Sequence, residues 1–447
     1  MQRPVTAEEK EILARDEKYV LHGLSPQPII ITEGAGANVK DIAGRQYLDL
    51  EGQTSGPIVI GHKHPKYMQA LKDQMDKITH SMTAFVNIPR VELAEKLAMH
   101  APGRLQNNCM TYFSCGGSEA SEIAIRFAML RKRKYEVISV YHGYHGRTLA
   151  LVSLIGQSWR KWGQIPRFPG FHQIPNAYCY RCYFGKTYPD CNFECAWSLE
   201  HCIRYAAGKD NVAAFIIEPI QGNGGHMFPP SKRYWEIVRE ICDKYHVLLI
   251  VDEIQTGVGR TGRFWGCDHF GIDPDILLSG KALGGGMPIS ATMIHSDLVT
   301  DEFKKSEWCI FSMGGSPLPC AAASATLDII LEEKLSERAA SLGKRMMERL
   351  ERMKQKHPLI GDVRGAGVFI GVELVKDRTT KEPAVAEAEW IVAKALEKRL
   401  LLALSHMSGY GNVIKMKPCL TITDEEVDKA LDIFEEALSE VEQQKFQ

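Results

Sequence analysis

The chain has 447 residues, 45% hydrophobic and 24% charged, and its 54 Lys and Arg against 55 Asp and Glu leave a formal net charge of -1. This composition excludes disorder and fibrous repeats, and so even a balance provides no global field for nucleic acid or an anionic membrane, which leaves a small molecule as the expected partner. The length predicts two or three domains around an ample core, and with no apolar stretch long enough for a bilayer span or a signal segment, a soluble, cytoplasmic protein is expected. Twelve scattered cysteines predict reduced thiols, not a disulfide scaffold.

In chain order, residues 39–50 read as a hairpin with Ala43-Gly44 at its turn. Short branched apolar runs at 107–113, 137–141, 212–217, 247–251 and 276–278 then read as strands. Between them, 121–130 carries Ile123, Phe127 and Leu130 at helical spacing, and 234–245 carries Ile237, Ile241 and Tyr245. This alternation predicts an α/β fold, a mostly parallel sheet flanked by helices. Towards the C-terminus the pattern changes to a helix at 334–356, a strand at 368–373, a helix at 385–398 and a last helix from Asp424. We therefore expect a large domain at 61–320, and a smaller α+β domain built from 1–60 and 321–447.

Ligands of open α/β sheets bind beyond the carboxyl ends of the strands, which is where the unusual residues fall. Gly116, Gly117 and Ser118 lead from the first strand into a helix, where free backbone N–H groups and the helix dipole favour a phosphate; an ordinary strand-to-helix turn reads the same way. Tyr144 and Arg147 follow the second strand: the ring can stack on a flat cofactor and the guanidinium can grip a carboxylate, or both can belong to a surface loop. Glu218, after the third, is either a structural ion-pair member or part of a substrate site.

The decisive pair is Asp252 and Lys281. Lys281 stands 29 residues beyond Asp252, after an apolar run and before Gly284-Gly285-Gly286. A desolvated lysine in such a turn can hold an aldehyde as a Schiff base, while an aspartate at a neighbouring strand end can keep a pyridine nitrogen protonated. Together they suggest a pyridoxal phosphate enzyme.

Between residues 34 and 437 the chain resembles the class III, or ω-, pyridoxal-phosphate-dependent aminotransferases, such as 4-aminobutyrate and ornithine aminotransferases, and is also similar to dialkylglycine decarboxylase. The resemblance rests on Gly117-Ser118-Glu119-Ala120, Tyr144-His145-Gly146-Arg147-Thr148, Glu218-Pro219, the run from Asp252 to Gly262, and Ser279-Gly280-Lys281. It implies pyridoxal-phosphate fold type I, a homodimer or dimer of dimers, and amino transfer from an ω-amino acid or amine to a keto acid. The alternatives within the family are decarboxylation, racemisation or epimerisation, and phosphate elimination.

By the resemblance, Lys281 carries the Schiff base, Asp252 faces the ring nitrogen, Gln255 bonds the ring hydroxyl, and Tyr144 and Ile254 enclose the ring. Gly116, Gly117 and Ser118 hold the phosphate, and Ser312, where members usually have threonine, reaches it from the partner subunit. Arg147, Glu218 and Lys415 are the implied substrate residues. Lys415 stands where most members have an arginine for the α-carboxylate, and Glu218 is expected to pair with it when no carboxylate is bound. A lysine is a point charge without the guanidinium fork, which tilts the expected donor towards an ω-amine.

Within an expected insertion at 176–203, Cys179, Cys182, Cys191 and Cys195 are separated by two, eight and three residues. This spacing suits either a structural tetrahedral thiolate site or packed, reduced thiols. No metal is assigned.

Overall fold

The computed structural model describes residues 5–23, 27–53, 56–161, 167–405 and 411–444. Its centre is a seven-stranded sheet in the order Cys109–Ser114, Ser290–His295, Ile276–Ser279, Leu248–Asp252, Val212–Ile217, Glu136–Val140 and Phe171–Ile174. Ser290–His295 is antiparallel to both its neighbours, and the other pairings are parallel. Strands buried on both faces need continuous apolar sequence, and Val212–Ile217 is buried at every position. The helices Gly117–Lys132 and Lys232–Tyr245 cover the sheet with Ile123, Phe127, Ile237 and Ile241. Six of the seven strands thus run the same way and end along one edge, where five of them bring Gly116, Tyr144, Glu218, Asp252 and Lys281 into one neighbourhood.

Two of the seven strands lie outside the runs read from the sequence. Ser290–His295 mixes Ser, Ala, Thr and His with two apolar residues, and Phe171–Ile174 has His and Gln at its middle. Neither shows a branched apolar run, and sheet pairing alone makes them strands.

Two smaller sheets pack beside the large one. Ile31–Ala35, Asn38–Asp41 and Gln46–Asp49 form a meander closed by a parallel pairing of Gln46–Asp49 with Leu400–Leu401. The first and last parts of the chain therefore share a sheet. The other sheet is antiparallel, in the order Ile360–Ala366, Phe369–Asp377, Val413–Met416 and Ala403–Ser405, and carries the helices Leu335–Lys356, Val385–Glu397 and Asp424–Glu442.

Buried polar groups tie these parts together. The Arg260 guanidinium, fully buried, donates to the carbonyls of Gly56 at 3.0 Å, Lys417 at 3.2 Å and Pro418 at 2.6 Å, which fixes the C-terminal strand exit against the glycine-rich loop. Burial pulls this guanidinium down to about 10. The cysteine-containing segment docks through Glu373, which accepts from Tyr178 Oη and from Arg181 Nε at 2.6 Å and pairs with Arg364 at 2.8 Å. Cys179, Cys182, Cys191 and Cys195 all border one small cavity there, and all twelve cysteines are unpaired. Among the described residues no group of three or more Cys, His, Asp or Glu is gathered as a metal site, and no helix is long and apolar enough to cross a membrane.

Candidate active site

A cavity of ≈ 310 Å³ opens at the strand edge, near the lower end of the ~300–1,000 Å³ range of small-molecule sites. Lys281 enters it from a tight turn, Lys281–Gly284, that directly follows Ile276–Ser279, with a left-handed φ of 43°. That conformation is costly for a residue with a side chain, so the surrounding structure has to hold it. Asp252 ends the adjacent parallel strand, where it pairs in register with Leu278, three residues before the lysine. Burial pulls the Lys281 amine below the usual lysine range, and the carboxylates of Asp252 and Glu218 oppose that shift. The lysine is thereby poised as a nucleophile between two acids.

Across the cavity, the helix Gly117–Lys132 begins with Gly116 at its N-cap and no side chain capping it. Its first-turn N–H groups are left for an anion. Gly117 lets the Ile254 side chain approach closely: a Cβ there would fall 2.8 Å from Ile254 Cδ1. Ser118 Oγ accepts from the Arg147 N–H at 3.3 Å, which links the helix start to the loop carrying Tyr144.

Asp252 is buried and oriented by two donors, the Ile254 N–H at 3.0 Å and His145 Nδ1 at 2.8 Å. His145 Nε2 is itself buried without a partner among the described residues. This histidine, 107 residues away in sequence, was legible only as a strand-end residue beside Tyr144. A pyridine nitrogen would meet here a carboxylate already held in place.

Glu218 is fully desolvated between the Tyr144 N–H at 3.1 Å and the Gly222 N–H at 2.8 Å. Burial, helped by the Asp252 charge, pushes its carboxyl up to about 7, against the lowering effect of His145. Because the folded-state value is raised, the stability associated with the neutral form is present below about 4.5 and is lost as pH rises through about 7. Glu218→Gln removes this titration but keeps any fixed cost of the lost contact. Comparing urea unfolding of the two proteins from pH 4.5 to 8, we expect wild type to lose roughly 3 kcal/mol relative to the variant. A pH-independent difference would contradict the raised value.

Of the residues singled out from the sequence, Gly116, Gly117, Ser118, Tyr144, Glu218, Asp252, Ile254, Gln255 and Lys281 border this one cavity. Arg147, Ser312 and Lys415 do not. Arg147 is exposed, and its charge acts on the Tyr144 hydroxyl; Ser312 is exposed elsewhere. Lys415 is buried in Val413–Met416, where the charges acting on it are Glu51 and Lys281. The expected pairing of Glu218 with Lys415 does not form, because two backbone amides already occupy the carboxylate. The cavity also has Pro57, Met287, Pro288 and Ile289 on its wall, which no motif announced.

Residues 19–438 match the family of class-III aminotransferases. The chain belongs to that family. Among relatives, this aminotransferase is 37% identical to the leucine/methionine racemase of Thermococcus litoralis over 93% of this chain and 92% of that protein. It is 35% identical to the taurine–pyruvate aminotransferase of Bilophila wadsworthia, over 98% and 99%. Among solved structures, it is similar to an amine transaminase from an uncultivated Pseudomonas species in its pyridoxal-phosphate-bound form, with a TM-score of 0.86 and 29% identity over 94% and 98% of the two chains. The aminotransferase uses pyridoxal 5'-phosphate, and the cavity fits it: an uncapped helix start for a phosphate, a buried oriented carboxylate, and a desolvated lysine.

Proposed function

We propose that this aminotransferase moves the amino group of an ω-amino acid or related amine to a keto acid at the Lys281 cavity. One observation carries the choice of donor: among the described residues no guanidinium borders the cavity, so no forked clamp for an α-carboxylate stands beside Lys281. Bound pyridoxal 5'-phosphate supplies an aldehyde carbon that accepts amines and a protonated ring that takes up the electron pair left on the donor carbon. Gly116, Gly117 and Ser118 would hold its phosphate, and Asp252, set by His145, would keep its ring nitrogen protonated. Tyr144 and Ile254 would confine the ring. Lys281 would hold the aldehyde at rest, and its released amine would carry the proton away from the donor carbon. Arg147, exposed beside Tyr144, would receive the far anionic group of the donor.

Two copies are expected to associate through the exposed apolar side chains of Met82, Phe85, Val86, Ile88, Ile310 and Met313. The segments join through His80 with Ser316 and Asn87 with Gly315, and Ser312 lies within this surface. Twelve unpaired thiols support a cytosolic location.

A second reading, racemisation of an α-amino acid, is favoured by the leucine/methionine racemase relative. Single amines added to the enzyme separate the two. Under the proposal an ω-amine bleaches the lysine-linked colour stoichiometrically and a keto acid restores it. Inversion of an α-amino acid without any keto acid, and with no bleaching by ω-amines, would replace transfer with racemisation.

A further inference from the structure

Gln255 borders the cavity three residues beyond Asp252, and its amide is held from behind. Gly222 lies flush against it: a Cβ there would fall 2.5 Å from Oε1 and 2.9 Å from Nε2. Lys417 Nζ donates to Gln255 Oε1 at 3.3 Å, the only side-chain hydrogen bond this amide makes among the described residues. Lys417 is 0% exposed, and its backbone is fixed by the Leu50 carbonyl at 2.6 Å and by the Arg260 guanidinium at 3.2 Å. Its Nζ lies 5.6 Å from the centre of the Phe369 ring, and burial pulls its amine well below the usual lysine range. Such a fully buried lysine is expensive unless its donors are used, and this one is spent on a neutral amide at the edge of the active site.

An amide has two unlike ends, and a donor on one side decides which end faces the other way. With Oε1 turned to Lys417, the N–H donors of Gln255 are left for the cavity. The cofactor's aldehyde belongs with Lys281, its ring nitrogen with Asp252 and its phosphate with the helix start, so the acceptor left over is the ring oxygen. We propose that Lys417 is a positioning residue that fixes the Gln255 amide with its N–H end towards the ring oxygen of the bound cofactor, and so favours the deprotonated form of that oxygen. The inference rests on the cofactor reading above and goes beyond it, because Lys417 touches neither cavity nor substrate.

The groups facing Lys417 are Lys415, Glu51, Lys281 and Arg260, with His226 nearby, and those facing the cofactor end are Asp252, Glu218 and Lys281. A direct effect of the Lys417 amine on these groups must therefore be separated from an effect through Gln255. A double-mutant cycle does this, read as the pH titration of the lysine-linked absorbance in the loaded enzyme. Lys417→Met, close to isosteric and apolar, is expected to shift the titration about one pH unit upward, a tenfold change in proton affinity, because one hydrogen bond to the anionic oxygen is lost. Gln255→Leu alone is expected to give the same shift, and the double variant no more than that. Lys417→Leu serves if the methionine variant does not fold. An unshifted titration in the Lys417 variants, or a shift that persists in the Gln255→Leu background, would overturn the proposal. A wild-type enzyme with no such absorbance would instead sink the cofactor reading on which it rests.

Discussion

Lys281→Ala is expected to abolish the lysine-linked colour of the loaded enzyme and to slow the amine half-reaction by at least about 10²–10⁴-fold, the usual worth of a positioned acid–base. The lysine is placed by a left-handed turn between a strand and a glycine-rich loop, and no other lysine borders the cavity among the described residues. Lys415 and Lys417 feel the charge of Lys281, but neither lines the cavity: both are buried in or just beyond Val413–Met416, and Lys417 Nζ is engaged by Gln255 Oε1. Neither can take over its proton transfer. Borohydride reduction supplies an independent readout, with the cofactor fixed to the Lys281 peptide in wild type and to no peptide in the variant. A half-reaction rate unchanged by the substitution would remove Lys281 from the mechanism.

Asp252→Asn is expected to leave the fold and the cavity intact while lowering the single-turnover rate on the order of 10²–10³-fold, the scale for losing one preorganised electrostatic partner of the transition state. The substitution is nearly isosteric, and the Asn oxygen can still accept from Ile254, so stability should change little. The lost property is the charge that stabilises a protonated ring nitrogen. Burial matters to the size of the effect, since the carboxylate is shielded from water and oriented by His145 at 2.8 Å. Stopped-flow absorbance with saturating amine measures the rate directly. A loss below about tenfold would mean that the carboxylate is structural, a cap on the Asp252–Ile254 turn, and not an electronic partner.

Much of the fold was legible because it depends on local pattern. Each run of branched apolar residues between 107 and 278 became a strand of the large sheet, and the helical spacing of Ile123 and Phe127 became a covering helix. The two strands that escaped, Phe171–Ile174 and Ser290–His295, have no such pattern and owe their state to neighbours. The same division runs through the site. Gly117, Asp252 and Lys281 stand at the ends of strands that run the same way, and topology carries those ends to one edge, so position in the motif already implied position in the cavity.

What the sequence determined by itself is therefore five of the sheet's seven strands, its ligand-bearing edge and the chemistry of the residues that stop there. Only the tertiary structure decided how those residues are held: His145 against Asp252 and Lys417 against Gln255 are separated by 107 and 162 residues. It also decided that Lys415 lies buried near Glu51 instead of pairing with Glu218. Strand ends are set by local periodicity, which the chain spells out. Pairings between buried polar groups depend on which distant segments share a desolvated space, and no period in the sequence records that.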